Sequence, residues 1–105
     1  MTKQTENVVK KTGLVVLDEP IKRGDTVITE VVVRKPNSGA LRGVRLSPLL
    51  EMDVNYMTEV LPRITTPALT KDEIGNMAPG DLLNLSVEVV NFLLPKSMQN
   101  DSQSN

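Results

Sequence analysis

The sequence predicts an α+β fold: an N-terminal β-hairpin followed by several short helices and one longer C-terminal helix. Three observations predict it. Two β-branched runs flank Gly24-Asp25, the apolar spacing turns from strand-like to helical after Asn37, and a long apolar segment lies between Pro79 and Pro95. The runs are Leu14–Leu17 and Thr26–Arg34, where valine, isoleucine and threonine suit a pleated surface because their side chains are stiff at χ1. Gly24 supplies the positive φ of a tight reversal, and Asp25 tolerates turn geometry. The second run places Val27, Val31 and Val33 on one face and Ile28 and Val32 on the other, so both faces carry apolar residues and the core side is ambiguous.

The helices follow in order. Asn37 or Ser38 can cap a short helix carrying Leu41 and Val44. Ser47-Pro48 is a second start, a cap followed by proline at the first helical position. Asp53 caps a third helix with Val54, Met57 and Leu61 on one face, which Pro62 and Pro67 end, leaving PRITTP extended. Thr70 and Glu73 form a capping box for a helix that stops near Gly75-Asn76. Pro79 opens the last helix, which runs to about Leu94 because Pro95 cannot continue it.

In that helix Asp81, Asn84, Glu88 and Asn91 fall in one polar arc, and aliphatic residues with Phe92 fill the remaining roughly 220°, about twice the width a helix resting on a core needs. Either the helix is packed on several sides, or one flank is left for a partner. The candidate partner-binding flank is Leu85, Val89 and Phe92, spaced by four and three. Met52, Met57 and Met77 either fill the core or add adaptable contacts to such a surface.

Composition narrows the function. The 105 residues include no histidine, cysteine or tryptophan and only 2% aromatics. These absences remove imidazole bases, thiol nucleophiles, disulfides and common zinc sites. Twelve basic against thirteen acidic residues give a net charge of −1, which does not suit phosphate neutralisation. The basic pairs Lys10-Lys11, Lys22-Arg23 and Arg34-Lys35 lack stacking aromatics and read as solvated charge. Asp18-Glu19 and Asp72-Glu73 are adjacent carboxylates, which do not converge on one site as acid–base or metal chemistry requires. Arg23-Gly24-Asp25 reads as a hairpin turn. No stretch reaches the roughly 20 apolar residues of a membrane span. The expectation is a non-enzyme without catalytic, cofactor or metal residues, with 1–12 a flexible leader, 13–94 a single domain and 95–105 a disordered tail.

Two stretches carry a family resemblance. One runs through Pro20-Ile21-Lys22-Arg23-Gly24, a threonine-bearing strand and Arg34-Lys35-Pro36-Asn37-Ser38-Gly39-Ala40-Leu41-Arg42-Gly43. The other is the Leu61–Thr70 segment with the helix start Pro79–Leu83. In order and spacing these resemble the tail assembly chaperone family of Mu-like and related contractile-tailed phages (the gpE type). The likeness covers residues 14–94, with Asp25 where a second glycine is common and Gly80 where alanine is common.

The resemblance implies a chaperone that binds the long, mostly helical tape measure protein and keeps it soluble until tail tube subunits polymerise around it. It implies action in the host cell cytoplasm and absence from the mature virion. It also implies a longer isoform made by ribosomal frameshifting, through which the tail tube protein is recruited. Asn91-Phe92-Leu93 can be encoded with an unbroken run of T, a slippery site of the required kind. Self-association is compatible with so small a core. The rival expectations are a structural tail component retained in the virion and, from another class, a small nucleic-acid-binding regulator.

Overall fold

The structure, a computed structural model, describes residues 13–94; the expected leader and tail lie outside the described residues. Strands β1 (Leu14–Arg23) and β2 (Thr26–Val33) form the hairpin. A 3-10 turn (Ser38–Leu41), α1 (Leu46–Leu50), α2 (Val54–Ile64), the two-residue strand β3 (Thr65–Thr66), α3 (Lys71–Asn76) and α4 (Pro79–Leu93) follow. This is the expected mixed α+β order. The sheet is antiparallel in the order β1-β2-β3, so among the described residues β1 is an edge strand.

The hairpin closes with Arg23 opposite Thr26, leaving Gly24-Asp25 as a two-residue loop. Gly24 has φ +61° while Asp25 does not enter the positive-φ region, the pattern of a type II′ turn. β1 is longer than the β-branched run because Asp18, Glu19 and Pro20 belong to it rather than to a loop. They form a bulge, with regular pairing interrupted between Val16 and Ile21. An edge strand tolerates the proline because its missing N–H costs no ladder bond there.

The core side of β2 switches along its length. Val31 and Val33 are buried, as one of the two expected faces requires, but nearer the turn Ile28 is buried and Val27 exposed. Buried residues three apart cannot share one face of a regular strand, so the hairpin turns its other face inward beyond the bulge.

Three helix starts form as the capping chemistry predicts. The Asn37 side chain accepts from the Ala40 N–H at 2.9 Å, although only one 3-10 turn follows and Val44 lies outside it. Asp53 accepts from Asn55 N–H at 2.9 Å and Tyr56 N–H at 3.3 Å. The Thr70 hydroxyl accepts from Glu73 N–H at 3.1 Å while Glu73 Oε1 accepts from Thr70 N–H at 3.0 Å, completing the capping box. The start expected at Ser47-Pro48 is displaced: α1 begins at Leu46, and Arg45 precedes it without a side-chain cap.

Pro62 does not end α2. The helix passes through it to Ile64, where Leu61 and Ile64 are both core residues, and the helix end gains a side-chain partner. The buried Thr65 hydroxyl donates to the Leu61 carbonyl at 2.7 Å and accepts from Leu69 N–H at 3.1 Å. Only Thr65–Thr66 of the expected extended segment is a strand, opposite Val33 and Val32. The core lies between the sheet and α2 and α4, with Val31, Met57, Val60, Leu61, Leu85 and Val89 fully buried. Met57 is therefore core filling, while Met52 and Met77 are half-buried at its margin.

Candidate partner-binding surface

α4 is positioned by one buried carboxylate. Asp81 sits in its first turn and has no exposed surface. The β1 bulge turns two backbone N–H groups out of the ladder, and Asp81 accepts both: from Asp18 N–H at 2.8 Å and from Glu19 N–H at 3.1 Å. An anion in the first turn also meets the positive end of the helix dipole. The carboxylate thus ties the start of α4 to the middle of the edge strand.

This contact overturns the expected rotation of the helix. Asp81 shares a polar arc with Asn84, Glu88 and Asn91, yet it faces inward. At about 100° per residue, Asp81, Leu85, Val89 and Phe92 share roughly 80° of arc, and that arc is the core side. Leu85 and Val89 are 0% exposed, and Phe92 is half-buried against the core. The flank Leu85, Val89 and Phe92 is therefore a packing face of the folded domain and not a free surface. The helix is rotated by about a quarter turn from the polar-arc expectation, because two bulge N–H groups outweigh the preference of one carboxylate for water.

The surplus apolar width has not vanished; it lies on the opposite side. Leu83 is 55% exposed and Val87 37% exposed, four residues apart on the outward face. Beside them, between α4 and β1, runs an open groove of about 220 Å³ lined by Leu14, Val15, Val16, Asn84, Val87 and Glu88. Val16 on the edge strand is 63% exposed. Glu88 is the one charged side chain in that lining, and Glu30 pairs with Val16 across the hairpin. Sequence reasoning missed these residues because apolar width shows that a helix has a second face but not which way it turns.

Several other charged groups serve the fold. Arg23 donates from Nε to Glu73 Oε2 at 2.9 Å, and from one terminal nitrogen to Glu73 Oε1 at 2.6 Å and to the Ala68 carbonyl at 2.8 Å. The arginine of the Arg-Gly-Asp turn thus latches the hairpin tip to α3. The guanidinium, with help from the Thr70 amide, holds the Glu73 carboxyl down at about 2. Lys71 beside Glu59 likewise lowers that carboxyl, with a 2.9 Å contact at the surface. Arg63 donates to the carbonyls of Ala40 and Arg42 at 3.0 and 3.1 Å, and Arg34 to the Arg63 carbonyl at 2.9 Å. A cleft of about 280 Å³ next to the latch has Glu73 in its wall, already engaged by Arg23 and Thr70. Among the described residues no cluster of three metal-ligating side chains exists, and no helix is long and apolar enough to cross a membrane.

Comparison with known proteins completes the description. A family model described as "Phage tail assembly chaperone proteins, E, or 41 or 14" matches residues 14–94. Tail assembly protein E of Escherichia phage P2 is 42% identical over 91 residues, covering 87% of this chain and all of that protein. Tail assembly protein E′ of the same phage is 41% identical over 86 residues, covering 82% of this chain and 61% of that protein. No solved structure matches.

Proposed function

This chain belongs to the phage tail assembly chaperone family, and from that membership we propose that it binds the tape measure protein and keeps it soluble until the tail tube polymerises around it. The reading is carried by one observation: 42% identity to Tail assembly protein E across the whole length of that protein. The chain acts as a binding protein and not as an enzyme, leaves before the particle is complete, and works in the host cytoplasm. Its surface chemistry agrees with such a role, since apolar side chains stand exposed on α4 and on β1.

One phage holds both a short and a longer relative of this chain. The matching pair here is a short form and a frameshifted longer form whose extension engages the tail tube protein. Frameshifting at the Asn91-Phe92-Leu93 codons is checked by mass spectrometry for a joint peptide at that position.

Coexpression with the tape measure protein tests the main reading. The tape measure protein should move into the soluble fraction and copurify with the chain, while purified particles should contain no stoichiometric amount of it. Unchanged solubility without copurification would refute the reading, and stoichiometric presence in particles would make the chain a structural tail component instead.

A further inference from the structure

α4 carries two apolar faces of different kinds. The inner one belongs to the core. On the outer one stand Leu83 and Val87, and the same rhythm continues through Val90, which is half-buried and also packs against the core, to Leu94, the residue that caps the helix. Their steps of four, three and four residues keep them within about 60° of arc, directly opposite the buried Leu85 and Val89. Leu83 and Val87 are exposed, and Val90 and Leu94 are half-buried. A four–three spacing is the seam that one helix offers to another. A strand, with its period of two, would not follow it.

The charges beside the seam indicate which helix it takes. The positions next to it are Asn84, Ser86, Asn91 and Leu93, none of them charged. The charged side chain lining the adjoining groove is Glu88, and Glu30 stands beyond Val16 on the same side. Asp18, exposed, follows two residues after Val16 along β1. An acidic margin along one flank of an apolar seam favours a helix with basic residues on the matching flank, whose long stems can lie over Val16 while their heads reach Glu88. A second copy of α4 would bring no positive charge to this margin, because the helix has none.

We infer that the outer seam of α4, with the groove beside β1, binds an amphipathic helix carrying four–three-spaced apolar residues and a lysine- or arginine-bearing flank. The inference rests on the chaperone reading and assigns that helix to the tape measure protein. It replaces the core residues Leu85, Val89 and Phe92 as the contact face. Leu83 and Val87 form the centre of the contact, and Glu88 sets the orientation of the bound helix.

The test uses the full chain coexpressed with its tape measure protein, reading the amount copurified. Leu83→Asp with Val87→Asp should reduce copurification at least tenfold, and the milder Leu83→Ala with Val87→Ala several-fold. Because both side chains are exposed, the denaturation midpoint of the alanine variant should stay at the wild-type value. Glu88→Lys should weaken binding more than Glu88→Gln, with the difference shrinking as salt rises. Wild-type copurification that both double variants retain would overturn the seam while leaving the chaperone reading intact. Failure of the wild type to copurify would remove both. If the wild type were a dimer that the alanine variant dissociates without losing the tape measure protein, the seam would be a self-interface and the inference wrong.

Discussion

The base and the tip of the β-hairpin are built from the same residue types but held by different physics. At the base, Val15, Val31 and Val33 are buried, β3 adds a third strand, and the backbone of Gly13 touches that of β2. At the tip, beyond the bulge, Ile28 is buried and Ile21 half-buried, and Arg23 is tied by charge to Glu73. Asp81 stands between the two, bonded to the bulge. Apolar burial at the base contributes roughly 1.5–3 kcal/mol per buried aliphatic side chain and is insensitive to pH and to charge screening. The latch at the tip is worth less and depends on both. A surface of exposed aliphatics can be kept on the adjoining helix because the element it borders is fastened without using them.

The largest effect is expected at the base. Gly13 has φ +84°, and a Cβ placed there would lie 2.1 Å from the Val33 carbonyl oxygen. Its own carbonyl accepts from Val33 N–H at 2.8 Å, so the two backbones cannot separate without losing that bond. Gly13→Ala should cost about 3 kcal/mol or more, read from chemical denaturation. A change below about 1 kcal/mol would mean that the base can relax and is not the rigid end of the hairpin.

Asp81 tests the junction. Asp81→Ala removes the acceptor of two bulge N–H groups and should destabilise the chain by about 2–3 kcal/mol. Hydrogen exchange should localise the consequence, with Asp18 and Glu19 amides losing protection while Val31 and Val33 keep theirs. Equal loss at both ends would make hairpin and α4 a single cooperative unit and erase the distinction between base and tip.

Much of this was legible in the sequence for reasons that act locally. A threonine three residues before a glutamate, an aspartate before Val54, a proline opening α4 and glycine at the turn are solved by atoms within one turn of chain, and all four form as read. Three features needed the tertiary fold. The bulge in β1 is invisible until β2 is paired against it, so the β-branched run ends at Leu17 and does not announce the strand that continues to Arg23. Pro62 reads as a stop, because the burial of Leu61 and Ile64 on either side of it exists only in the folded chain. Asp81 belongs by spacing to the polar arc, and its inward turn puts Leu85 and Val89 in the core and leaves Leu83 and Val87 exposed on the opposite side. Helical periodicity reports angles between residues; the direction of the core has to come from a partner.

The smallest effect belongs to the tip, where pH separates it from the base. Glu73→Gln keeps an oxygen that can accept from the Thr70 amide, so the capping box survives while the ion pair with Arg23 is lost. The cost at neutral pH should be about 1–2 kcal/mol, limited by the partial exposure of Arg23. Because the folded carboxyl sits at about 2, below its ordinary value of 4.5, its contribution is fully present above about 4.5 and is lost as pH falls toward 2. The stability difference between wild type and Glu73→Gln should therefore be constant from pH 5 to 7 and close as pH approaches 2. Other carboxylates titrate in both proteins and cancel in the difference, and the exposed Glu59–Lys71 pair is screened in moderate salt. Protection at Arg23 and Thr26 should fall with that difference while Val31 and Val33 keep theirs. A difference near zero at every pH would mean that Arg23 holds the tip through the Ala68 carbonyl, a contact both proteins keep, rather than through charge, and that both ends of the hairpin are fastened by neutral contacts.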